Sequence, residues 1–272
     1  MGAADIGIGL IDGPVDLDHP DLATARITAV GHRRAACRCP EQHPCLHGTF
    51  VAGILAAGTR ERAPGICPGC TILTRPIFSD CAATGFTTPA EAATAIHECI
   101  DMGARILNVS SAMVGSPRSR QPELVAALNR SAQRGVLVVV AAGNGATLAA
   151  TALTSHPWVV PVAGYSLSGE PLRQSTIGMS IGRRGVGAPA RAITSLAPGG
   201  TSTTLDGTSF AAPFVTGTAA LLWSLFPDEP AAVIRQALLG PGRRTTVVPP
   251  MLDAERAYQT LREGRIDARR AV

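Results

Sequence analysis

Short apolar segments alternate along the chain with segments whose apolar residues recur at helical spacing. The apolar runs predict strands at 5–12, 26–30, 71–78, 105–110, 136–142 and 158–163. Helices are predicted at 47–57, 89–102, 123–134, 213–226 and 230–239. Since the 136–142 run is apolar throughout, it is typical of a parallel strand covered on both faces. The alternation predicts an α/β fold: a doubly wound, mostly parallel β-sheet with helices on both faces and its site at the carboxyl ends of the strands.

Three polar motifs interrupt this pattern. Ser209 follows Gly207-Thr208 and precedes a small-residue helix, so it lies where backbone N–H groups favour negative charge. A nucleophilic serine needs a base, and His47 precedes a second small-residue helix. Asp12 ends the first apolar run. Each residue alone has an ordinary interpretation, because a serine before a helix is usually a cap.

Taken together, the three residues predict a catalytic triad. Ser209 would be the nucleophile, His47 the general base and then acid, and Asp12 the group that orients the imidazole. The order Asp, His, Ser is that of subtilisin, and not that of chymotrypsin or the α/β-hydrolases. From about residue 6 to residue 239 the sequence therefore resembles the subtilisin-like (subtilase) serine peptidases. The resemblance implies an endopeptidase that acts through an acyl-enzyme.

The resemblance also implies the rest of the site. Asn144, after the 136–142 strand, matches the family's oxyanion donor, and its partner would be the Ser209 backbone N–H. A substrate strand would add between two segments. These are Ser110, Ser111 and Ala112 on one side, and Ala141, Ala142 and Gly143 on the other. Thr151 falls where a pocket-floor glycine is frequent, so we expect a small or medium residue before the cut.

A narrower resemblance rests on the segments 12–16, 65–68 and 169–172. They look like those of the subtilases that process cyanobactin-type ribosomal peptide precursors, a group that contains leader-removing proteases and macrocyclases. The macrocyclases carry a helical insert between the catalytic Asp and His, but His47 follows Asp12 by only 35 positions. Precursor hydrolysis is therefore the expected function. The alternatives are a macrocyclase of the same family and a catalytically silent peptide-binding domain.

Composition bounds the remaining possibilities. The 272 residues fit one peptidase domain at 1–259, followed at 260–272 by an Arg-rich tail or the start of a linker. The chain contains no lysine, which excludes a Ser–Lys mechanism, and its net charge of +4 is too scattered for nucleic acid. We expect a peptide or precursor-protein substrate, with further domains or proteins of a biosynthetic assembly as possible partners. Since no signal peptide and no membrane span were recognised, a cytoplasmic location is expected.

The seven cysteines leave three interpretations open. Cys37, Cys39 and Cys45 precede the His47 helix, and Cys67 and Cys70 follow it. These clusters could form disulfides, hold a structural zinc ion, or remain free thiols. In the first two cases we expect Cys67 or Cys70 to be linked to the 37–45 loop. Cys99, on its helix, fits a free thiol. Catalysis by the triad requires no cofactor, and the loop at 59–63 lacks the pattern of a calcium site.

Overall fold

The computed structural model describes residues 1–31, 36–58, 63–78, 86–110, 112–113, 121–242 and 244–270. Strands in these ranges are β1 (Gly7–Asp12), β2 (Arg26–Ala29), β3 (Thr71–Pro76), β4 (Phe86–Thr87), β5 (Ile106–Val109), β6 (Ala112–Met113), β7 (Leu137–Ala141), β8 (Val160–Tyr165), β9 (Val186–Pro189), β10 (Ile193–Ala197) and β11 (Thr201–Leu205). Helices are α1 (His43–Ala56), α2 (Pro89–Asp101), α3 (Pro122–Gln133), α4 (Ala152–Ser155), α5 (Met179–Arg184), α6 (Thr208–Leu225), α7 (Ala231–Leu239) and α8 (Ala254–Arg270), with a 3₁₀ turn at Pro20–Leu22.

Seven strands form one parallel sheet in the order β2-β3-β1-β5-β7-β8-β9. Successive side chains of a strand point to opposite faces of the sheet. Each apolar strand therefore contributes residues to two separate cores, one on each face. Leu10 packs into one core and Ile11 into the other; likewise Val139 and Val138 divide between them. The predicted α/β class, a doubly wound parallel sheet, is confirmed.

Helices cover both faces of this sheet. On one face lie α1, α6 and α7, whose buried residues share a core with Leu10 and Val139. On the other, α2 and α3 pack against each other and against β1 and β7. Helix α6 contacts β5, β7, β8 and β9, which makes it the central helix of its face.

Helix α6 also corrects one expectation about membranes. Its 18 residues, Thr208–Leu225, are long and apolar enough to cross a bilayer by length and composition, although the sequence was expected to hold no such stretch. The helix is 67% buried inside the protein, however. Its apolar surface is therefore used for packing on the sheet, as in the core helix of a globular fold.

The strand order reverses next to β1. From β1 the chain passes to the edge strand β2 and returns to β3 beside β1, and it then crosses to β5 on the other side of β1 and continues to β9. In doubly wound sheets a crevice opens at this reversal, outside the carboxyl ends of the strands. Asp12 ends β1 and Ser110 directly follows β5, so both lie at this crevice.

Two helices begin at least four residues earlier than predicted. Helix α1 begins at His43 rather than at residue 47, because Pro44 occupies a first-turn position, where a missing N–H costs little. Helix α6 begins at Thr208 rather than at residue 213, which places Pro213 inside the helix.

Other elements were not predicted at all. They are β4, β6, the β9 strand, the β10–β11 hairpin, and helices α4, α5 and α8. Most are short, and the exposed β11 has no apolar face to give a period. Helix α8 runs from Ala254 to Arg270, so the boundary predicted at residue 259 falls within a helix.

Candidate active site

Asp12 and His47 form a close pair at the carboxyl edge of the sheet. Asp12 is fully buried, and its Oδ1 accepts hydrogen bonds from His47 Nδ1 and from the Gly13 N–H, each at 2.6 Å. A carboxylate accepts only, so the proton lies on Nδ1 and the lone pair of Nε2 faces away from Asp12. This is the tautomer that a general base requires.

The environment of His47 favours its charged form. Its side chain is 11% exposed. Burial alone would lower the pKa of His47, but the charge of Asp12 and the hydrogen bond to it outweigh burial and raise that pKa above its usual value. An imidazolium formed during proton transfer is therefore stabilised where it forms.

Helix α1 holds His47 by packing directly on the loop after β1. A Cβ added at Gly48 would lie 2.3 Å from the Pro14 carbonyl oxygen, so only glycine permits this approach. Thr49 Oγ1 accepts from the Asp16 N–H at 2.9 Å, which ties the same two segments together. The His-Gly-Thr sequence therefore fixes the histidine relative to Asp12.

Ser209 is the second residue of α6. Gly207, just before the helix, has φ +152°, a conformation that other residues rarely adopt. The ring of Phe210, the next residue, lies 5.4 Å from that of His47 and 4.4 Å from that of Phe50 (centroid to centroid). In the described part of the chain the half-buried Ser209 hydroxyl makes no hydrogen bond. Catalytic hydrogen bonds often tighten only when substrate binds.

Asn144 lies beside the start of α6. Its Oδ1 accepts from the Thr208 N–H at 2.9 Å, which leaves its NH₂ group available. That group lies 3.4 Å from the position that a Cβ on Gly207 would take. The Asn144 amide therefore lies beside the helix start that bears Ser209, and its role as an oxyanion donor together with the Ser209 N–H stays a prediction.

The two predicted substrate segments separate where the sheet ends. Val109 and Val140 form the last residue pair between β5 and β7. Beyond them, Ala142 donates its N–H to Val162 and Gly143 accepts from Thr176, so these residues turn towards β8. The Gly143 N–H donates to Thr208 Oγ1 at 3.1 Å, so both backbone groups of Gly143 are already bonded. Pairing of a substrate strand there stays a prediction.

Of the predicted substrate segment after β5, the structure describes two of the three residues. Ser110 is buried, and its hydroxyl donates to the Ser209 carbonyl oxygen at 3.0 Å. Ala112 is part of β6, which pairs in parallel with β4. Ser111 lies outside the described residues.

Thr151 has a local structural role. It is the N-cap of α4, and its hydroxyl accepts from the Thr154 N–H at 3.1 Å, while the Thr154 hydroxyl accepts from the Thr151 N–H at 2.9 Å. This reciprocal pair fixes the start of the short helix. The expected pocket-floor role of Thr151 stays a prediction.

The cysteine linkage was predicted wrongly. Cys37 and Cys45 form a disulfide with each other, and Cys39 is disulfide-bonded as well. Cys67 and Cys70 are buried free thiols, so neither is joined to the 37–45 loop. With Cys37 and Cys45 in a disulfide, the four-sulfur zinc site is not formed. Across the described ranges no group of three or more His, Cys, Asp or Glu residues could hold a metal ion.

The surroundings of the free thiols shift their pKa values in different directions. The hydrogen bond from Cys67 to Cys70, together with burial, raises the pKa of Cys67, whereas the same bond lowers that of Cys70. Burial raises the pKa of Cys99 to about 12. A buried Cys99 thiol agrees with the expectation for this residue. Cys81 lies outside the described residues.

Sequence reasoning missed two features of the site. Asn108 lies in the apolar β5 strand, where its side chain donates to Ser110 and accepts from Thr216 of α6. An isolated asparagine in an apolar run was the available signal. His43 lies one helical turn before His47, and the ring centroids are 5.7 Å apart. Burial and the neighbouring His47 lower the pKa of His43, although Asp12 opposes them.

An aspartate, a histidine and a serine at the carboxyl edge of a doubly wound parallel sheet define a serine-hydrolase type of site. The profile of the Subtilase family matches residues 3–246. The chain belongs to the subtilase family, and the resemblance noted in the sequence is confirmed.

Curated relatives include subtilisin NAT of Bacillus subtilis subsp. natto, 27% identical over 240 residues, and fervidolysin of Fervidobacterium pennivorans, 29% identical over 262 residues. Each match covers 86% of this chain, but only 60% of subtilisin NAT and 37% of fervidolysin. The chain therefore spans less than two thirds of the length of each of these relatives.

Solved structures match over nearly the whole chain. A mutant of the protease domain of PatA is 32% identical, with 97% of both chains covered and a TM-score of 0.88. The prenylagaramide maturation protease PagA is 27% identical, with 96% of this chain and 95% of that chain covered and a TM-score of 0.84. The PatG macrocyclase in complex with peptide shares the fold at 22% identity, with coverages of 96% and 92% and a TM-score of 0.85.

Proposed function

We propose that this protein is a serine endopeptidase that hydrolyses a peptide precursor through an acyl-enzyme. The observation that carries the proposal is the buried Asp12 bonded to His47 Nδ1, with His47 next to the helix start that bears Ser209. A buried carboxylate that orients a histidine beside a serine is the arrangement that activates the serine hydroxyl.

The reaction follows from these positions. Nε2 of His47 takes the Ser209 proton as Oγ attacks the substrate carbonyl carbon, and Asp12 stabilises the imidazolium. The Asn144 amide and the Ser209 N–H stabilise the oxyanion. His47 then protonates the leaving amine as the peptide C–N bond breaks. A water molecule, deprotonated by His47, finally hydrolyses the Ser209 ester.

A precursor peptide is the proposed substrate class because two of the similar solved structures bear that chemistry in their names. PagA and PatA are described as maturation proteases of prenylagaramide and patellamide. We extend this class of substrate to the present chain. The sequence features at 12–16, 65–68 and 169–172 support the same class.

Covalent labelling tests the proposal. The purified chain, incubated with a fluorophosphonate probe, should gain the mass of the probe on Ser209, and Ser209→Ala should not be labelled. Ser202→Ala is the matched control, since Ser202 lies exposed on β11, and it should label like the original chain. Equal labelling of the Ser209→Ala protein, or none of the original chain while its circular dichroism shows a folded protein, would refute the proposal.

A further inference from the structure

His43 is a second histidine at the catalytic cleft that the hydrolytic mechanism does not use. It is the first residue of α1 and is exposed to solvent, and His47 follows it by one helical turn. Side chains four positions apart lie on the same face of a helix, and each leans towards the helix N-terminus. The ring of His47 therefore leans towards the turn that carries His43, and the two rings are tilted by 33°.

His47 already makes the hydrogen bond that orients the ring of a metal-binding histidine. Histidines that bind metals commonly donate their other ring N–H to a carboxylate, which fixes the tautomer and the ring orientation. His47 Nδ1 makes this bond to Asp12 Oδ1 at 2.6 Å. The bond that prepares Nε2 to take a proton therefore also prepares it to bind a cation.

The spacing of the two rings fits one metal ion between them. Zinc binds imidazole nitrogen at about 2.0–2.1 Å with tetrahedral angles, which places the two ring centroids about 5 Å apart. The observed separation is 5.7 Å. Because His43 is exposed, a small rotation of its side chain closes the difference without moving the packed His47.

We propose that His43 and His47 form an inhibitory site for a divalent transition-metal ion, Zn²⁺ being the best fit, at the mouth of the catalytic cleft. Water molecules complete the coordination, so the ion binds reversibly and less tightly than in a site with three protein ligands. Once Nε2 of His47 is coordinated, it cannot accept the Ser209 proton. The inhibition rests on the proposed function, whereas the binding of zinc does not.

Binding is tested first, on protein that cannot digest itself. Co²⁺ is titrated into Ser209→Ala protein and its visible absorption is recorded, since a low-symmetry imidazole site gives a distinct band; Zn²⁺ should then displace it. Adding His43→Ala should weaken binding of both ions by at least about tenfold. Adding His97→Ala instead should leave binding unchanged, because His97 lies on α2 beside Arg130. Equal binding by the His43→Ala protein would overturn the proposal.

Inhibition is tested second, with each protein referred to its own rate without zinc. Zn²⁺ should inhibit the original chain, a chelator should restore its rate, and His43→Ala should raise the half-inhibitory concentration at least about tenfold. The same half-inhibitory concentration in the His43→Ala protein would overturn the inhibitory role. If zinc binding depends on His43 but no peptidase activity is found, the metal site stands and the proposed function fails.

Discussion

At the scale of single residues, the side-chain amide of Asn144 has two separate roles, one for its oxygen and one for its nitrogen. Its Oδ1 accepts from the Thr208 N–H, which fixes the start of the serine helix, while its NH₂ group is available for the oxyanion. Asparagine serves both because one amide carries an acceptor and a donor. A substitution at Asn144 that keeps the acceptor and removes the donor therefore separates the two roles.

Asn144→Asp is that substitution. The carboxylate can still accept from Thr208, but it offers no donor and places negative charge near the developing oxyanion. We expect kcat to fall by at least about 10²-fold, the order measured on loss of this donor in subtilisin, with thermal stability little changed. Steady-state kinetics on a fluorogenic peptide and a thermal melt provide the two readouts. A kcat within a few-fold of the original would exclude Asn144 from the oxyanion site.

The pH dependence of the reaction follows from the environment of His47. Its pKa is raised because the charge of Asp12 and the hydrogen bond to it outweigh burial. The base must be neutral, so kcat/KM should rise with pH, with its midpoint above the ordinary histidine value of about 6.5. Asp12→Asn should move the midpoint to lower pH in the residual activity, since the carboxylate charge is gone. A midpoint below the ordinary value in the original chain would contradict this reading.

At the scale of elements, the junction of β5 with α6 depends on Pro213. Proline has no N–H, so within α6 the Ser209 carbonyl loses its i+4 helical partner. The Ser110 hydroxyl replaces it at 3.0 Å, and Asn108 in turn donates to Ser110 at 2.8 Å. The side chain of the residue directly after β5 therefore completes the helix turn that carries the nucleophile.

Ser110→Ala tests this positioning role. It leaves the Ser209 carbonyl without its donor, and we expect a loss of about 1–3 kcal/mol in the free energy of unfolding together with a lower kcat at little-changed KM. Ser131→Ala is the matched control, because the buried Ser131 hydroxyl donates to the Ala127 carbonyl inside α3. It removes a buried serine hydroxyl without leaving a carbonyl unpaired, because Ala127 keeps its helical N–H partner, so kcat should be unchanged. If the Ser110→Ala protein loses stability but not kcat, the Ser110 bond is structural only.

At the scale of the whole molecule, the architecture bears on the fate of the acyl-enzyme. Cyclisation needs a cover that excludes water while a substrate amine attacks the ester. Between β1 and α1, the described residues form a three-residue 3₁₀ turn and β2, and the first turn of α1 carries Pro44 and Cys45. Among those residues no helix longer than this turn lies between Asp12 and the start of α1. Water should therefore reach the Ser209 ester.

The products of a precursor-like peptide test this conclusion. With a small or medium residue before the cut, we expect two linear fragments in the mass spectrum, since water outcompetes the tethered amine. The Ser209→Ala protein, incubated in parallel, should leave the peptide intact. A main product lighter than the linear fragment by one water would show cyclisation, and the argument from the absent cover would be wrong.

The sequence by itself determined the class of fold and the order of the catalytic residues. Apolar strands and helical periods are local signals, and they predicted the parallel sheet, because burial on both faces leaves apolar runs such as 136–142. The motifs at Asp12, His47 and Ser209 were equally local, since each combines a reactive side chain with the small residues that its turn requires.

Only the tertiary structure decided which residues bond to one another. Cys37 bonds to Cys45 and not to Cys67 or Cys70, because disulfide pairing depends on the distance between side chains, which spacing along the chain does not give. The bond from Ser110 to the Ser209 carbonyl joins residues 99 positions apart. Helix α6 begins before Pro213, and the residue after β5 supplies the donor that the proline lacks. Local sequence patterns therefore identified the reactive residues, while long-range packing determined which groups each residue contacts.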